Sequence, residues 1–195
     1  MNDATRPATG IGASVRRVED LRLLRGLGRY TDDLDAPGVL HAVFLRSPHA
    51  AAVIRGTDAA AARGMPGVVA VFTAEDVGGL GPFPCLVPRQ LPDGRPMPRP
   101  PYRTLAHGAV KHVGDPVAMV VAETRAQALD AAEAVQVEDD PLPAVTDPAE
   151  ALAPDAPAVW PDLPDRNLAF RFAVGDTAAV EAAFARAAHV VSLDF

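Results

Sequence analysis

Apolar and polar positions are most clearly patterned between residues 114 and 145. The run 117–122 is continuously apolar, short and rich in Val, which is typical of a strand buried on both faces. Further on, Val135 and Val137 alternate with polar residues, which predicts a half-exposed strand that ends at Pro141. The segment between the two runs has helical spacing. The stretch therefore predicts a compact β-α-β unit.

Two helices have clear start signals. Thr124 and Gln127 have the spacing of a capping box, in which each side chain satisfies a free backbone amide of the other residue. Asp176 has the position of an N-cap residue before a second apolar-periodic stretch. The residues predicted to face inward are Leu129, Ala132 and Val135 on the first helix, and Val180, Ala183, Phe184 and Ala187 on the second.

Weaker patterns predict the remaining elements. Strands are expected at 39–46, 51–55, 68–72, 168–174 and from residue 189 onward, and short helices at 18–25, 58–64 and 149–152. The last run, 189–195, is apolar up to Phe195. Because a terminal carboxylate is costly to place beside a buried strand, we expect the chain to be the N-terminal piece of something longer.

Prolines interrupt the chain between residues 82 and 101. They remove backbone donors and fix φ, so neither a helix nor a sheet ladder can persist there. Long loops of this kind are functional or disordered, and the sequence leaves open whether this one docks a partner or is disordered. The prolines are at positions 82, 84, 88, 92, 96, 98, 100 and 101.

Composition limits the possible functions. Apolar residues make up 49% of the 195 residues and aromatic residues 5%, so the core should consist mainly of Val, Leu and Ala. The net charge of −7 and the absence of a Lys/Arg-rich tract make nucleic acid an unexpected partner. No signal-peptide layout and no apolar run of the roughly 20 residues that span a bilayer is found, so a cytoplasmic protein without a transmembrane segment is expected.

Metal and nucleophile chemistry has little support in the residues. Cys85 is the only cysteine, which excludes an intramolecular disulfide and an iron–sulfur cluster, since a cluster needs about four thiolates. None of the histidines has HExxH, HxH or CxxC companions. For His107, His112 and Asp115, convergence on a metal stays open as an alternative. The histidines are His41, His49, His107, His112 and His189.

The other polar candidates also favour structural roles. His49 lies at a strand–turn junction, where a structural hydrogen bond is expected, and His41 is expected to be half-exposed on its strand. Neither Ser47 nor Ser192 has a nucleophile-elbow context, and Gly10-Ile11-Gly12 lacks the preceding strand and the third glycine of a dinucleotide loop. The cluster Glu138, Asp139 and Asp140 is expected to be solvated. We therefore predict no catalytic, cofactor-binding or metal-binding residue.

Several segments in collinear order carry a family resemblance. They are Gly12 to Arg17 followed by Glu19-Asp20, LLRGLGRYTDD at 23–33, RSPHA at 46–50, PGVVAVFTAEDV at 66–77, HVGDPVAMVVAETRAQALDAAEAVQVE at 112–138, PLPAVTDPAEAL at 141–152, and GD…AFARAAHVV from Gly175 to Val191. Together they resemble the start of the molybdopterin-binding large subunit of the molybdenum hydroxylases, the family of xanthine dehydrogenase, aldehyde oxidase and aerobic carbon monoxide dehydrogenase. Two positions differ. The family often has a second His where this chain has Ala51, and a Tyr where it has Asp139.

The resemblance implies a domain plan. Residues 1–15 would form a flexible arm, and 16–152 an α/β (α+β) hammerhead-like domain with a mixed sheet, β-α-β units and the proline-rich loop at 82–101. Residues 153–165, which include Trp160, would be a linker. Residues 166–195 would begin the following cofactor-domain region.

The resemblance also implies a function that this chain would not perform alone. Members hydroxylate or oxidise substrates at a molybdenum–molybdopterin centre, take the oxygen from water, and pass electrons to iron–sulfur [2Fe–2S] and FAD subunits. The partners would be the remaining large-subunit domains and those subunits, and the chain alone is predicted to be inactive. Two alternatives remain: a stand-alone, non-catalytic interaction module, and a small hydrolase or metal enzyme built on the histidines.

Overall fold

The computed structural model describes residues 10–193 except 12 and 35, and the chain divides into two compact units at Val39 and Leu40. The first unit contains helix α1 (Asp20–Leu24) and a 3-10 turn (Thr31–Asp33). The described part of the second unit contains strands β1 (His41–Arg46), β2 (Ala52–Asp58), β3 (Val68–Thr73), β4 (Ala109–Val110), β5 (Pro116–Ala122) and β6 (Gln136–Pro141), helices α2 (Ala60–Arg63), α3 (Arg125–Glu133) and α4 (Thr177–Arg186), and a 3-10 turn (Glu150–Leu152).

Helix α1 confirms the short helix predicted in the first unit. Asp20 lies in its first turn and Arg22 in its last, which complements the helix dipole. The helix ends before Gly26, whose φ of +70° lies in the left-handed region that favours glycine. Among the described helices, none has the length and apolar character needed to cross a bilayer.

The strands form two three-stranded sheets, β1–β5–β3 and β4–β2–β6. Every pair among these described strands is antiparallel. The α/β class and the strands predicted near β1, β2 and β3 are confirmed, but the expected mixed sheet is wrong. The reason is that β5 and β6, which flank α3, belong to different sheets, so the β-α-β crossover does not return a parallel strand to its own sheet.

The core is centred on β5, which lies between β1 and β3. Val120 is fully buried and faces Val43 on β1 and Val71 on β3, as expected for a strand covered on both sides. Helix α3 packs against this sheet through a face of alanines, Ala128, Ala131 and Ala132.

The inward face predicted for α3 is partly wrong. Leu129 is 41% exposed, whereas Ala132 and Val135 are buried as predicted. The packed face of the helix carries the small side chains of Ala128, Ala131 and Ala132. Leu129, turned about 100° from Ala128 around the helix axis, is left partly exposed.

The capping box of α3 is confirmed. The Thr124 hydroxyl accepts the Gln127 N–H at 3.2 Å, and the Gln127 Oε1 accepts the Thr124 N–H at 3.0 Å. The side chain of Gln127 also lies against Gly67, in the turn before β3. The cap of the helix is therefore packed on a turn that is distant in the sequence.

The proline-rich segment between β3 and β4 follows a hydrogen-bonded path. The Phe83 N–H donates to the Tyr102 carbonyl at 2.8 Å and closes the base of the loop. At its tip, an isolated bridge pairs Gln90 with Pro96, and Leu91, only 6% exposed, donates its N–H to the Arg95 carbonyl at 2.7 Å. As expected, the segment contains neither a helix nor a sheet ladder.

The segment 153–165 is held by hydrogen bonds to the side chains of the two residues that follow it, Arg166 and Asn167. The Asn167 amide donates to the carbonyls of Ala151 and Pro157, each at 2.9 Å, and accepts the Val159 N–H at 2.7 Å. Arg166, a non-glycine residue with φ of +46°, donates to two further carbonyls of the segment. Five hydrogen bonds from two adjacent residues thus hold this connector in a compact loop.

The C-terminal part only partly follows the prediction. Helix α4 is confirmed with its cap, because the Asp176 Oδ1 accepts the Ala179 N–H at 3.0 Å. The strands predicted at 168–174 and from 189 are wrong as far as 193, since the described residues there pair with no neighbouring strand, and residues 194 and 195 lie outside the described range. A strand requires an adjacent strand edge, which the sequence pattern cannot supply by itself.

Candidate functional site

His49 and Asp139 form a polar contact next to the second sheet. The His49 Nε2 lies 3.3 Å from the Asp139 Oδ1, and both side chains are partly buried. The backbone N–H of His49 donates to the Ser47 Oγ at 3.1 Å. Asp139, one of the two positions that differ from the family pattern, is therefore the partner of His49. The contact ties the turn after β1 to β6, which agrees with the structural role expected for His49.

The three residues considered for a metal lie beside one cavity without forming a ligand set. The His112 Nε2 is 3.8 Å from the Asp115 Oδ1, a long contact. The other oxygen of Asp115 accepts the Lys111 N–H at 3.0 Å, which stabilises the turn before β5. His107 lines the same cavity. Among the described residues, no group of three His, Cys, Asp or Glu side chains could hold a metal.

The cavity beside these residues has a volume of about 290 Å³ and is called the Trp160 cavity below. Its walls are the end of the proline-rich segment, the stretch before β5, and Trp160. The Lys111 Nζ donates to the Val159 carbonyl at 2.9 Å and lies 4.8 Å from the centroid of the Trp160 ring. This cation–π contact joins two of the residues that line the cavity. The ammonium of Lys111 is thereby engaged in holding two segments together.

The remaining candidates lie apart. Cys85 is exposed, and the Ser47 hydroxyl is bonded only to a backbone N–H, so no described Ser or Cys is activated by a histidine ring. In the acidic cluster, the Arg55 side chain binds Asp140 at 2.6 Å. His41 is half-buried on β1, and His189 and Ser192 are exposed near the end of the described range. The expectation for Gly10-Ile11-Gly12 concerns residues 1–9 and 12, which lie outside the described range.

Two carboxylates have shifted pKa values, and both stabilise turns. The backbone N–H and the hydroxyl of Thr73, with Arg63 nearby, hold the pKa of Asp76 below its ordinary value. Asp93, at the tip of the proline-rich segment, has its pKa lowered by the backbone N–H and then the guanidinium of Arg95. Both shifts arise from hydrogen bonds that close a local turn, and structural ion pairs also produce such shifts.

Sequence reasoning missed the contacts that organise the surface. These are the Lys111–Trp160 contact, the Phe83–Tyr102 ring pair with a centroid distance of 5.8 Å, and the Asn167 hydrogen bonds. The only available signal was the presence of aromatic residues in proline-rich stretches, which does not tell which residues meet. Each of these contacts holds together segments that lie apart in the sequence.

Comparisons with known proteins agree on one family. The family model described as "Aldehyde oxidase and xanthine dehydrogenase, a/b hammerhead domain" matches residues 25–143. The chain is 38% identical over 196 residues to the carbon monoxide dehydrogenase large chain of Afipia carboxidovorans, covering 95% of this chain and 23% of that protein. It is 40% identical over 183 residues to the nicotine 6-hydroxylase large subunit of Paenarthrobacter nicotinovorans, covering 93% and 21%.

A solved structure gives the same answer. A Cu,Mo-CO dehydrogenase in the carbon-monoxide-reduced state superposes with a TM-score of 0.67 and 35% identity, over 92% of this chain and 23% of that chain. The chain thus spans less than a quarter of the length of these relatives. It belongs to the α/β hammerhead domain family of aldehyde oxidases and xanthine dehydrogenases, and it corresponds to one domain of a molybdenum hydroxylase large subunit.

Proposed function

We propose that this chain acts as the structural hammerhead domain of an oxidoreductase of the carbon monoxide, aldehyde or xanthine dehydrogenase type. The observation that carries the proposal is the match of 95% of the chain to only 23% of a carbon monoxide dehydrogenase large chain. The reactive machinery would lie in the parts of the large subunit that this chain does not match. On this proposal, the chain alone is inactive.

The metal-binding side chains of this chain support a reactive centre that lies in other domains or subunits. One cysteine cannot hold an iron–sulfur cluster, and the described residues contain no three-ligand group. These residues do not fit a metal centre, so we derive no reaction step from them. Molybdenum–molybdopterin would be bound by the other large-subunit domains, and FAD and [2Fe–2S] by partner subunits.

The C-terminal helix provides a surface for the remaining domains. Val180 is 52% exposed and Phe184 60% exposed, although both lie on the apolar face of α4. Exposed apolar faces of this kind mark interaction sites. We propose that this face, the α4 stripe (Val180, Ala183, Phe184 and Ala187), packs against the cofactor-bearing part of the large subunit. Residues 16–152 would then be the hammerhead domain and 166–195 the start of the next region.

The test is co-purification from the native host. An affinity-tagged chain should carry molybdenum, measured by inductively coupled plasma mass spectrometry, together with iron and flavin. Phe184→Glu should lower the molybdenum per chain at least tenfold, because it places a charge in a desolvated contact. Ala182→Glu is the matched control, because it places the same charge on the opposite side of the helix, and it should retain the metal.

The outcomes separate the two main hypotheses. Both variants should have the circular dichroism spectrum of the wild type, since α4 is exposed throughout. A wild-type chain that purifies alone and free of molybdenum, from cells that contain the complex, would reject the proposal and favour the stand-alone interaction module.

A further inference from the structure

The stretch from residue 78 to residue 114, which contains the proline-rich segment and continues past β4, carries a charge opposite to that of the rest of the chain. Between residues 78 and 114 there are five basic residues and one acidic residue, Asp93, a net charge of +4. Since the whole chain has a net charge of −7, the remainder carries −11. The basic residues are Arg89, Arg95, Arg99, Arg103 and Lys111.

Three of these basic groups are engaged within the fold. The Arg89 guanidinium lies 5.7 Å from the centroid of the Phe172 ring. Arg95 pairs with Asp93 at 2.9 Å and approaches Asp165 at 3.8 Å. Lys111 is bound to the Val159 carbonyl, as described above.

The other two, Arg99 and Arg103, are exposed. Neither forms an ion pair or a side-chain hydrogen bond with any described residue. They are therefore the two basic groups of the segment whose charge the described fold leaves free.

An aromatic pair lies next to these arginines. Phe83 is 57% exposed and Tyr102 is 62% exposed, and their rings contact each other where the backbone hydrogen bond closes the loop. Pro98, Pro100 and Pro101 restrict the backbone beside Arg99 and Tyr102. A stiff backbone lowers the entropy lost when such side chains bind a partner. We call Phe83, Arg99, Tyr102 and Arg103 the loop-base surface.

The loop-base surface adjoins the Trp160 cavity, which Tyr102 and Arg103 also line. Protein interfaces are enriched in aromatic residues and Arg, and their strongest contacts insert a side chain into a pocket. Both features are present here: two exposed aromatic rings, two free guanidinium groups and a cavity of about 290 Å³.

We propose that the loop-base surface docks an acidic patch of a partner protein chain, with an apolar side chain of that partner entering the Trp160 cavity. The free guanidinium groups would pair with carboxylates and the aromatic rings would be covered. The partner would be another subunit of the enzyme complex. This identification of the partner rests on the proposed function.

A protein partner fits better than a nucleic acid. Binding a phosphate backbone requires several basic groups along one track, whereas this surface has two free ones and lies on a chain whose remainder carries −11. That negative remainder would repel a polyanion over distances up to the Debye length. A protein with a small acidic patch avoids this repulsion, because its negative charge need only approach the loop-base surface.

The first experiment uses the complex from the native host. The double variant Arg99→Glu/Arg103→Glu should lose at least tenfold of the iron or of the flavin per chain and retain molybdenum, since the α4 stripe is intact. The control Arg125→Glu/Arg171→Glu makes the same change in net charge at exposed positions elsewhere and should retain all three. Unchanged iron and flavin in the first variant would overturn the docking surface and leave the proposed function standing.

Cys85 reports on the same surface without any mutation. It is the only cysteine, is exposed, and lies two residues from Phe83. Its alkylation by N-ethylmaleimide, followed by intact mass spectrometry, should be at least tenfold slower in the complex than in the 195-residue chain alone. Equal rates in the two samples would contradict docking at this loop.

A binding assay with the isolated chain tests the docking surface even if no molybdenum co-purifies and the proposed function fails. The 195-residue chain is titrated with a fluorescein-labelled Glu-Glu-Leu repeat peptide, a Lys-Lys-Leu repeat, and an oligodeoxythymidine of the same length. Only the acidic peptide should bind, with salt-sensitive affinity that falls at least tenfold in Arg99→Glu/Arg103→Glu and stays unchanged in the control variant. Failure of the acidic peptide to bind, or equal binding of the nucleotide, would overturn the inference.

Discussion

At the scale of single residues, Gly67 connects two parts of the fold that are distant in the sequence. Its φ is +77°, and a Cβ at this position would collide with the side-chain amide of Gln127. That amide belongs to the capping box of α3. The Gly67 carbonyl also accepts the Glu123 N–H at 2.9 Å. A turn before β3 thus supports the start of a helix more than fifty residues later.

We predict that Gly67→Ala lowers the free energy of unfolding by about 2–3 kcal/mol. Roughly 1–2 kcal/mol would come from the left-handed backbone and about 1 from the displaced cap. Gly114→Ala is the control, because Gly114 has φ of +84° but open space around it, so only the backbone cost applies. In a Gln127→Ala background, the two glycine substitutions should cost nearly the same in urea unfolding. An undiminished difference would contradict the link to the cap.

The lowered pKa of Asp76 makes the free energy of unfolding depend on pH. Its pKa is lowered in the folded chain, first by the Thr73 N–H and then by the Thr73 hydroxyl, with Arg63 contributing. Folding therefore favours the ionised form, and this stabilisation is present above the unfolded pKa near 3.8 and is lost as the pH falls through the lower folded value.

Asp76→Asn should accordingly lower stability at pH 7 and have a smaller effect as the pH falls below about 4. Urea midpoints measured across that range would check this. Asp162→Asn is the control, since the exposed Asp162 has no ion pair or hydrogen bond to the described residues, and it should leave the profile unchanged. A constant penalty for Asp76→Asn at every pH would argue against the linkage.

At the scale of elements, helix α3 packs on the sheet through its alanine side chains. Ala128 and Ala131 are fully buried against the β1–β5–β3 sheet, whereas Leu129 lies on the solvent side. Both helix faces contain apolar residues, so the periodicity predicted the helix correctly but gave the larger side chain the wrong orientation. The fit between helix and sheet decided which face is buried.

This packing gives a contrast that can be measured. Ala128→Leu should lower the free energy of unfolding by about 1–3 kcal/mol, because a close-packed core has no room for the added methyl groups. Leu129→Ala should cost less than about 1 kcal/mol, because the residue is 41% exposed and Ala is a better helix former. The reverse order of the two effects would place Leu129 in the core and contradict the packing.

At the scale of the whole molecule, the described surfaces divide by chemistry. The α4 stripe is apolar and is proposed to meet the cofactor-bearing domains, whereas the loop-base surface is basic and aromatic and is proposed to meet an acidic subunit. A single structural domain can hold several chains together only if its contacts differ in this way, since identical surfaces would compete for one partner. The activity of the complex would then depend on this chain through assembly rather than through chemistry.

Local sequence signals determined the elements whose causes lie within a few residues. The apolar run of β5, the Thr124–Gln127 cap, the Asp176 cap and the end of α1 at Gly26 were all predicted and are confirmed. The two caps and the helix end depend on backbone groups satisfied by neighbours three or four positions away, whereas the extended conformation of β5 is favoured by its own Val residues. The collinear family motifs also identified the fold family from sequence alone.

Tertiary structure decided what depends on residues far apart in the sequence. The placement of β6 in a separate sheet, the pairing of His49 with Asp139, and the closure of the proline-rich loop by Phe83 and Tyr102 all join positions whose meeting no local pattern encodes. The apolar runs at 168–174 and 189–193 have strand-like patterns, but they form no strand because no described strand pairs with them. The physical reason is the same throughout: a local pattern fixes which backbone conformation is favoured, whereas burial and pairing are properties of two surfaces in contact.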